Sequence, residues 1–244
     1  MEALLFLQEN LWWIALVLLA LVIFCLAWRA NFAYDNFQHN LEQNLQKETK
    51  YWATTAEFAK LLSQTFFSGA VAVEKAEDSQ EAFYAPHKKT VALGKDLLGQ
   101  ASVASIAVVA HEFGHASQAF QNPEMLVKHF KFNRFVGFLG NLNPVLIILA
   151  IILGITLGWA GAVACLCAII LNFVIAIILK AKTVKLEKDA SLRAMAMLEK
   201  LAFFSETDLK AIKKFLNSAK RTYTADFLCA VLGWTGLVKR TKFF

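Results

Sequence analysis

Ser102-Val-Ala-Ser105-Ile-Ala-Val-Val-Ala110-His111-Glu112-Phe113-Gly114-His115-Ala-Ser-Gln-Ala-Phe120 is the run that decides how the chain is read. It is apolar, holds no proline, and stops at Asn122-Pro123, so it predicts a helix capped by Ser102 or, a turn later, by Ser105. Within it stands His111-Glu112-Phe113-Gly114-His115. Residues four apart share one helix face, so both imidazoles can reach one Zn²⁺ at ~2.0–2.1 Å. Glu112 is turned slightly away, close enough to contact a water on that metal, which is the place of a general base. With only five histidines in 244 residues, chance alone gives this pattern roughly once in a few hundred such chains. A surface His/Glu pair is the plain alternative.

The chain around this run is 57% hydrophobic and 18% charged, too apolar for an ordinary soluble enzyme. No Lys or Arg occurs in residues 1–28 or 135–179, and basic residues follow each block. Membrane spans and cytoplasmic loops alternate in this way. The net charge of +6 is therefore no sign of nucleic-acid binding, and the lipid bilayer is the expected partner. Cys25, Cys165, Cys167 and Cys229 all lie in apolar stretches, which predicts buried, inert thiols and no disulfide framework.

Upstream of the run, Ala82–Ala85 and Thr90–Leu93 predict a hairpin around Pro86-His87-Lys88-Lys89, with His87 solvated, and Ala70–Val73 a further short strand. Thr55–Gln64 is an amphipathic helix, preceded by a polar, helix-compatible stretch from Asn31. Leu11–Trp28 carries no charge and is long enough to span a bilayer. Its flank holds Glu2 and Glu9 but no basic residue before Arg29, which favours a retained anchor over a cleaved signal peptide. Downstream, Phe135–Leu179 fits two spans with a turn inside Gly154–Gly161 and returns to the basic side at Lys180. Asn172 is expected to bond a neighbouring helix. Tyr223–Val238 is apolar but holds Asp226 and runs into Lys239 and Arg240, which favours a helix in the interface over a fourth span.

Two histidines leave a catalytic zinc one protein ligand short. Glu124 and His129 are near in sequence but lie beyond the helix break. After the apolar hairpin, Glu187 and Asp189 stand on a helix whose Ala190, Ala194 and Ala196 permit close packing. Either carboxylate fits the gluzincin set of two His and one Glu; a solvated charged face is the plain reading of both.

These features together resemble the bacterial membrane-bound neutral zinc metallopeptidases, the zinc peptidase 2 or YugP-like family. The resemblance rests on Thr55-Ala-Glu57, on Phe83-Tyr84-Ala85-Pro86-His87, on Ser105-Ile-Ala107 running into the His111–His115 block, and on Glu187-Lys188-Asp189-Ala190-Ser191-Leu192-Arg193-Ala194. Lys188 departs from the family's aromatic there, and Lys185-Leu186 from its Pro-Val. The resemblance implies that Glu187 is the third ligand of a single Zn²⁺, with Asp189 as an outer partner or alternative ligand. It also implies an endopeptidase acting on peptides or proteins in the bacterial cell membrane; the charge asymmetry, with Arg29 on the cytoplasmic side, predicts that the catalytic region faces the cytoplasm. A catalytically inactive membrane scaffold that keeps the fold is the alternative.

The expected architecture is mainly α and integral to the membrane. It has three membrane helices, or four with the C-terminal one, a gluzincin-like catalytic helix pair and a small β-hairpin. The expected divisions are an anchor (1–30), a cytoplasmic catalytic region (31–134), a two-span hairpin (135–180), the third-ligand helix and its successor (181–221), and a C-terminal apolar helix (222–244).

Overall fold

The computed structural model describes residues 2–49, 54–77, 81–99 and 101–232. The chain is mainly helical, with one small sheet. Six helices, among the described residues, run α1 (Glu2–Leu45), α2 (Thr55–Phe67), α3 (Val103–Gln121), α4 (Pro123–Leu157), α5 (Trp159–Leu201) and α6 (Glu206–Leu232). The described residues fall into two compact units, one built on 2–32, 132–182 and 224–232, the other on 33–131 and 183–223.

The apolar blocks of the first unit lie in long helices, two of which run on into the second. Val17–Leu45 and Leu126–Leu157 are long and apolar enough to cross a membrane, and Trp159–Asn172 is a shorter apolar stretch. The predicted turn falls at Gly158, whose φ of +69° is a left-handed conformation that glycine adopts without cost. Pro144 is carried inside α4. The Asn172 side chain donates to Asn143 Oδ1 at 3.3 Å, so the two helices of this hairpin share a polar bond, as expected. Two thiols differ from expectation: among the cysteines whose burial is described, Cys25 and Cys167 are exposed and Cys165 is buried. Alternation of faces along an apolar helix decides this, and composition does not reveal it. The proposed C-terminal helix is described only as far as Leu232; residues 233–238 of that expectation lie outside the described residues.

The second unit holds the core and the sheet. Strands β1 (Ala72–Lys75), β2 (Ala82–Ala85) and β3 (Thr90–Leu93) are ordered β1-β3-β2. The predicted hairpin is there, β2 antiparallel to β3 with Tyr84 opposite Val91. The first strand starts two residues later than expected and pairs parallel to β3, Ala72 with Thr90. The small hairpin is thus a three-stranded sheet. Its middle strand is buried along its whole length, which suits the β-branched and apolar run Thr90–Leu93. His87 is exposed in the turn.

Local bonds place α3. Ser102 is its N-cap and Ser105 closes the box: the Ser105 amide donates to Ser102 Oγ (3.1 Å) and the Ser102 amide to Ser105 Oγ (2.9 Å). Of the two expected caps Ser102 is the one used, and Ser105 serves at N3 of the box, because a buried helix start has no water for its free N–H groups. Thr55 Oγ1 adds a bond to Ser105 Oγ at 3.0 Å. The chain leaving α1 also ties to this point, Val103 N–H donating to Lys47 O and Thr49 N–H to Ala101 O. Phe58, Leu62, Val91, Ile106, Phe113 and Leu198 close the core around it.

Candidate metal centre

From Val103 to Gly114 every residue of α3 is buried, so its polar side chains there must find protein partners. His111 is fully buried and His115 13% exposed; their rings meet at 4.7 Å, one helical turn apart. Helix α5 crosses α3 at Gly114. A Cβ on that residue would lie 2.2 Å from the carbonyl oxygen of Ala190. Only glycine permits so close an approach of two backbones. Ala190 and Ala194, both fully buried, form the facing stripe.

The crossing brings Glu187, one turn before Ala190, onto the two imidazoles. Glu187 Oε2 lies 3.2 Å from Nε2 of His111 and 3.2 Å from Nε2 of His115. One ligand atom from each of the three residues lies within 4.8 Å of the others. Asp189 does not join them. Its Oδ2 accepts from Gln118 Nε2 (2.8 Å) and from Arg193 Nε (2.6 Å). Glu124 is 82% exposed and pairs with Lys128.

Two imidazole nitrogens and one carboxylate oxygen are a donor set that suits Zn²⁺. The outer bonds suit it as well. The amide nitrogen of Gln118 donates to Leu186 O and Asp189 Oδ2, so its Oε1 must accept, and His115 carries a proton on Nδ1 (3.0 Å). Nε2 of His115 is the nitrogen left for an ion. Ser191 Oγ meets His111 Nδ1 at 3.2 Å in the same manner. Metal-binding histidines regularly use their second nitrogen this way.

Sequence reasoning missed Gln118 and Ser191, although their spacing, three residues after His115 and four after Glu187, puts them on the ligands' own faces. It also set His129 aside because of the helix break. That break is a single residue, Asn122, and α4 starts at Pro123. His129, 11% exposed, places Nε2 4.0 Å from Oε1 of Glu187, the oxygen not facing the other two histidines.

The charges of the metal-free site lean on one another. Burial opposes a charge on His115, but the neighbouring Glu187 carboxylate, helped by Glu112 and the Gln118 bond, raises its pKa to about 9. Burial also opposes ionisation of Glu187, yet the charge on His115 and bonds from both imidazoles hold it well below its ordinary value. Glu112 goes the other way. Burial pushes its pKa up, and Glu187 adds to the rise, against the pull of His115, His111 and a hydrogen bond from the Tyr84 backbone N–H. Burial and the neighbouring Glu187 carboxylate thus favour the neutral form of Glu112.

The His-His-Glu cluster on two packed helices, with a further carboxyl one residue along from His111, is a group that could hold a metal ion. The chain belongs to the zinc peptidase 2 family, described as "Putative neutral zinc metallopeptidase", whose family model matches residues 12–241. It is 28% identical over 198 residues to "Putative membrane protease YugP" of Bacillus subtilis (strain 168), a match covering 80% of this chain and 85% of that protein. No solved structure matches the chain.

Proposed function

We propose that this chain is a membrane-anchored zinc endopeptidase in which His111, His115 and Glu187 hold one Zn²⁺ and Glu112 is the general base. The observation that carries the reading is the convergence of two Nε2 atoms on one oxygen of Glu187, with both Nδ1 atoms engaged elsewhere. Zn²⁺ bound there would lower the pKa of a water toward ~7 and polarise the scissile carbonyl. Glu112 takes the proton of the attacking water and returns it to the leaving amine. The Tyr84 N–H holds one of its carboxylate oxygens in place. Asp189 acts from outside, fixing Gln118 and through it the ring of His115.

Strand β2 lies at the edge of the sheet, and its Tyr84 N–H points to Glu112 rather than to β3. This bond fixes the base against the edge of the sheet. The helix pair α3 and α5 is gluzincin-like in this reading. Three spans, with Arg29, Arg134 and Lys180 on the cytoplasmic side, fit a bacterial cell membrane with the catalytic region facing the cytoplasm.

Elemental analysis of detergent-purified variants, paired with a peptide-cleavage assay, tests this. Wild type and Glu112→Gln should hold about one zinc per chain, and His111→Ala and Glu187→Ala should hold none. Cleavage should vanish in all three variants. Zinc kept by Glu187→Ala would move the third ligand to Asp189. Wild type that takes up no zinc at neutral pH would refute the peptidase reading.

A further inference from the structure

One oxygen of Glu187 is left over by the ligand set. Oε2 is the atom 3.2 Å from both Nε2 nitrogens, whereas Oε1 looks toward His129, whose Nε2 lies 4.0 Å away. His129 reaches this place from a third element. Helix α4 starts at Pro123, with only Asn122 between it and the end of α3, so its first two turns remain beside the site. Leu126 is buried and belongs to the core, which fixes the face those turns present to it. His129 follows Leu126 by three residues and shares that face, while Lys128 and Lys131 are exposed on the other. The side chains of His129 and Glu187 are 11% and 12% exposed, so water competes little for the contact between them.

Ligand atoms bonded at ~2.0–2.1 Å to a tetrahedral ion stand ~3.3–3.4 Å apart. The 3.2 Å from Oε2 to each Nε2 is close to that edge. Oε2 therefore has little distance to travel when an ion enters, and Oε1 keeps its place near His129. Closing ~1 Å would bring Nε2 into the ~2.7–3.2 Å range of a hydrogen bond. The bond matters because a carboxylate binds a metal through one oxygen or both. An untethered Oε1 is free to swing in as a further ligand, into the space that a catalytic zinc keeps for water.

We propose that His129 is a positioning residue of the metal centre: its Nε2–H holds Glu187 Oε1, keeps the carboxylate on the ion through Oε2 alone, and so leaves a position open for the attacking water. The proposal rests on the metal ligands assigned under the proposed function, but no cleavage is needed to read it.

The test uses full-length protein in detergent, stripped and reloaded with Zn²⁺ or Co²⁺, as wild type, His129→Gln and His129→Phe. Glutamine keeps an N–H donor, and phenylalanine keeps the ring and loses the donor. Zinc affinity by chelator competition should fall about tenfold in His129→Phe and stay within about threefold of wild type in His129→Gln. The visible d–d bands of the Co²⁺ form should lose intensity in His129→Phe, as a four-coordinate ion gains a fifth bond, and keep it in His129→Gln. X-ray absorption at the zinc edge should count two imidazoles in all three proteins. The proposal falls if His129→Gln does no better than His129→Phe: equal behaviour leaves no role for the N–H, and the reverse order reduces the ring to packing. Three imidazoles in wild type, falling to two in His129→Phe, overturn it in favour of a direct bond from His129 to the metal. Wild type that binds no metal removes the ligand set and this proposal together. Metal binding in the expected order by a protein that cuts no peptide counts against the peptidase reading alone.

Discussion

Gly114→Ala tests the idea that one missing side chain sets the geometry of the metal centre. The added Cβ would sit 2.2 Å from Ala190 O and 2.9 Å from Ala190 C, and both are backbone atoms that no rotamer change can move. Opening the first contact to 3.0 Å requires α3 and α5 to part by at least 0.8 Å, since 3.0 − 2.2 = 0.8. Overpacking of this kind costs about 1–3 kcal/mol. The better helix propensity of alanine returns about 1 kcal/mol, leaving a net loss of about 0–2 kcal/mol. The folded protein therefore survives. Function does not, because Glu187 rides on the displaced helix, and ~1 Å of misplacement at a reacting centre costs about 100-fold in rate. Zinc affinity, read by competition with a chromogenic chelator, should fall by at least the ~10–100-fold that loss of an outer partner causes. Ala190→Gly should not restore it, because the clash is with the carbonyl and not with the Ala190 side chain. Wild-type zinc affinity and turnover in Gly114→Ala would refute the reasoning, as would full rescue by Ala190→Gly.

Gln118→Ala leaves the His115 Nδ1 proton without its acceptor and frees Asp189 from one of its donors, so zinc affinity should fall ~10–100-fold in the same chelator competition. His129→Ala removes a basic ring from the second oxygen of Glu187; roughly tenfold weaker zinc binding is expected, and unchanged binding would mean that the 4.0 Å approach has no consequence. The metal-free protein should also lose stability in alkali. The pKa of His115 rises on folding from 6.5 to about 9, so its contribution is whole below 6.5 and is lost as pH climbs through 9. Thermal melts of zinc-stripped protein between pH 6.5 and 9.5 should show a falling Tm, and Glu187→Gln should flatten that slope.

What was legible in the sequence was local. Ser102, Ser105 and the apolar run to Ala110 announce α3, and the turn residues Pro86–Lys89 announce the β2–β3 hairpin, because caps and turns are written within a few positions. The parallel partner of β3 was not legible, since Ala72–Lys75 carries no mark of the strand it will join eighteen residues later. Glu187 and Asp189 look alike in sequence. Packing tells them apart, for Glu187 meets the two imidazoles while Asp189 is held by Gln118 and Arg193. His129 was set aside for a physical reason that holds for most helix breaks, and it fails here because the break is one residue long.

The separation of His111 and Glu187 by 76 positions has a consequence for how the protein is made. Translation at about 5–20 residues per second delivers the histidines some 4–15 s before the carboxylate. All of Phe135–Leu179 emerges within that interval. A nascent chain thus carries two histidines and no third ligand until its apolar hairpin has been synthesised. In the proposed peptidase, the ability to cut would arrive only with the last third of the chain, after the segments meant for the bilayer have left the ribosome.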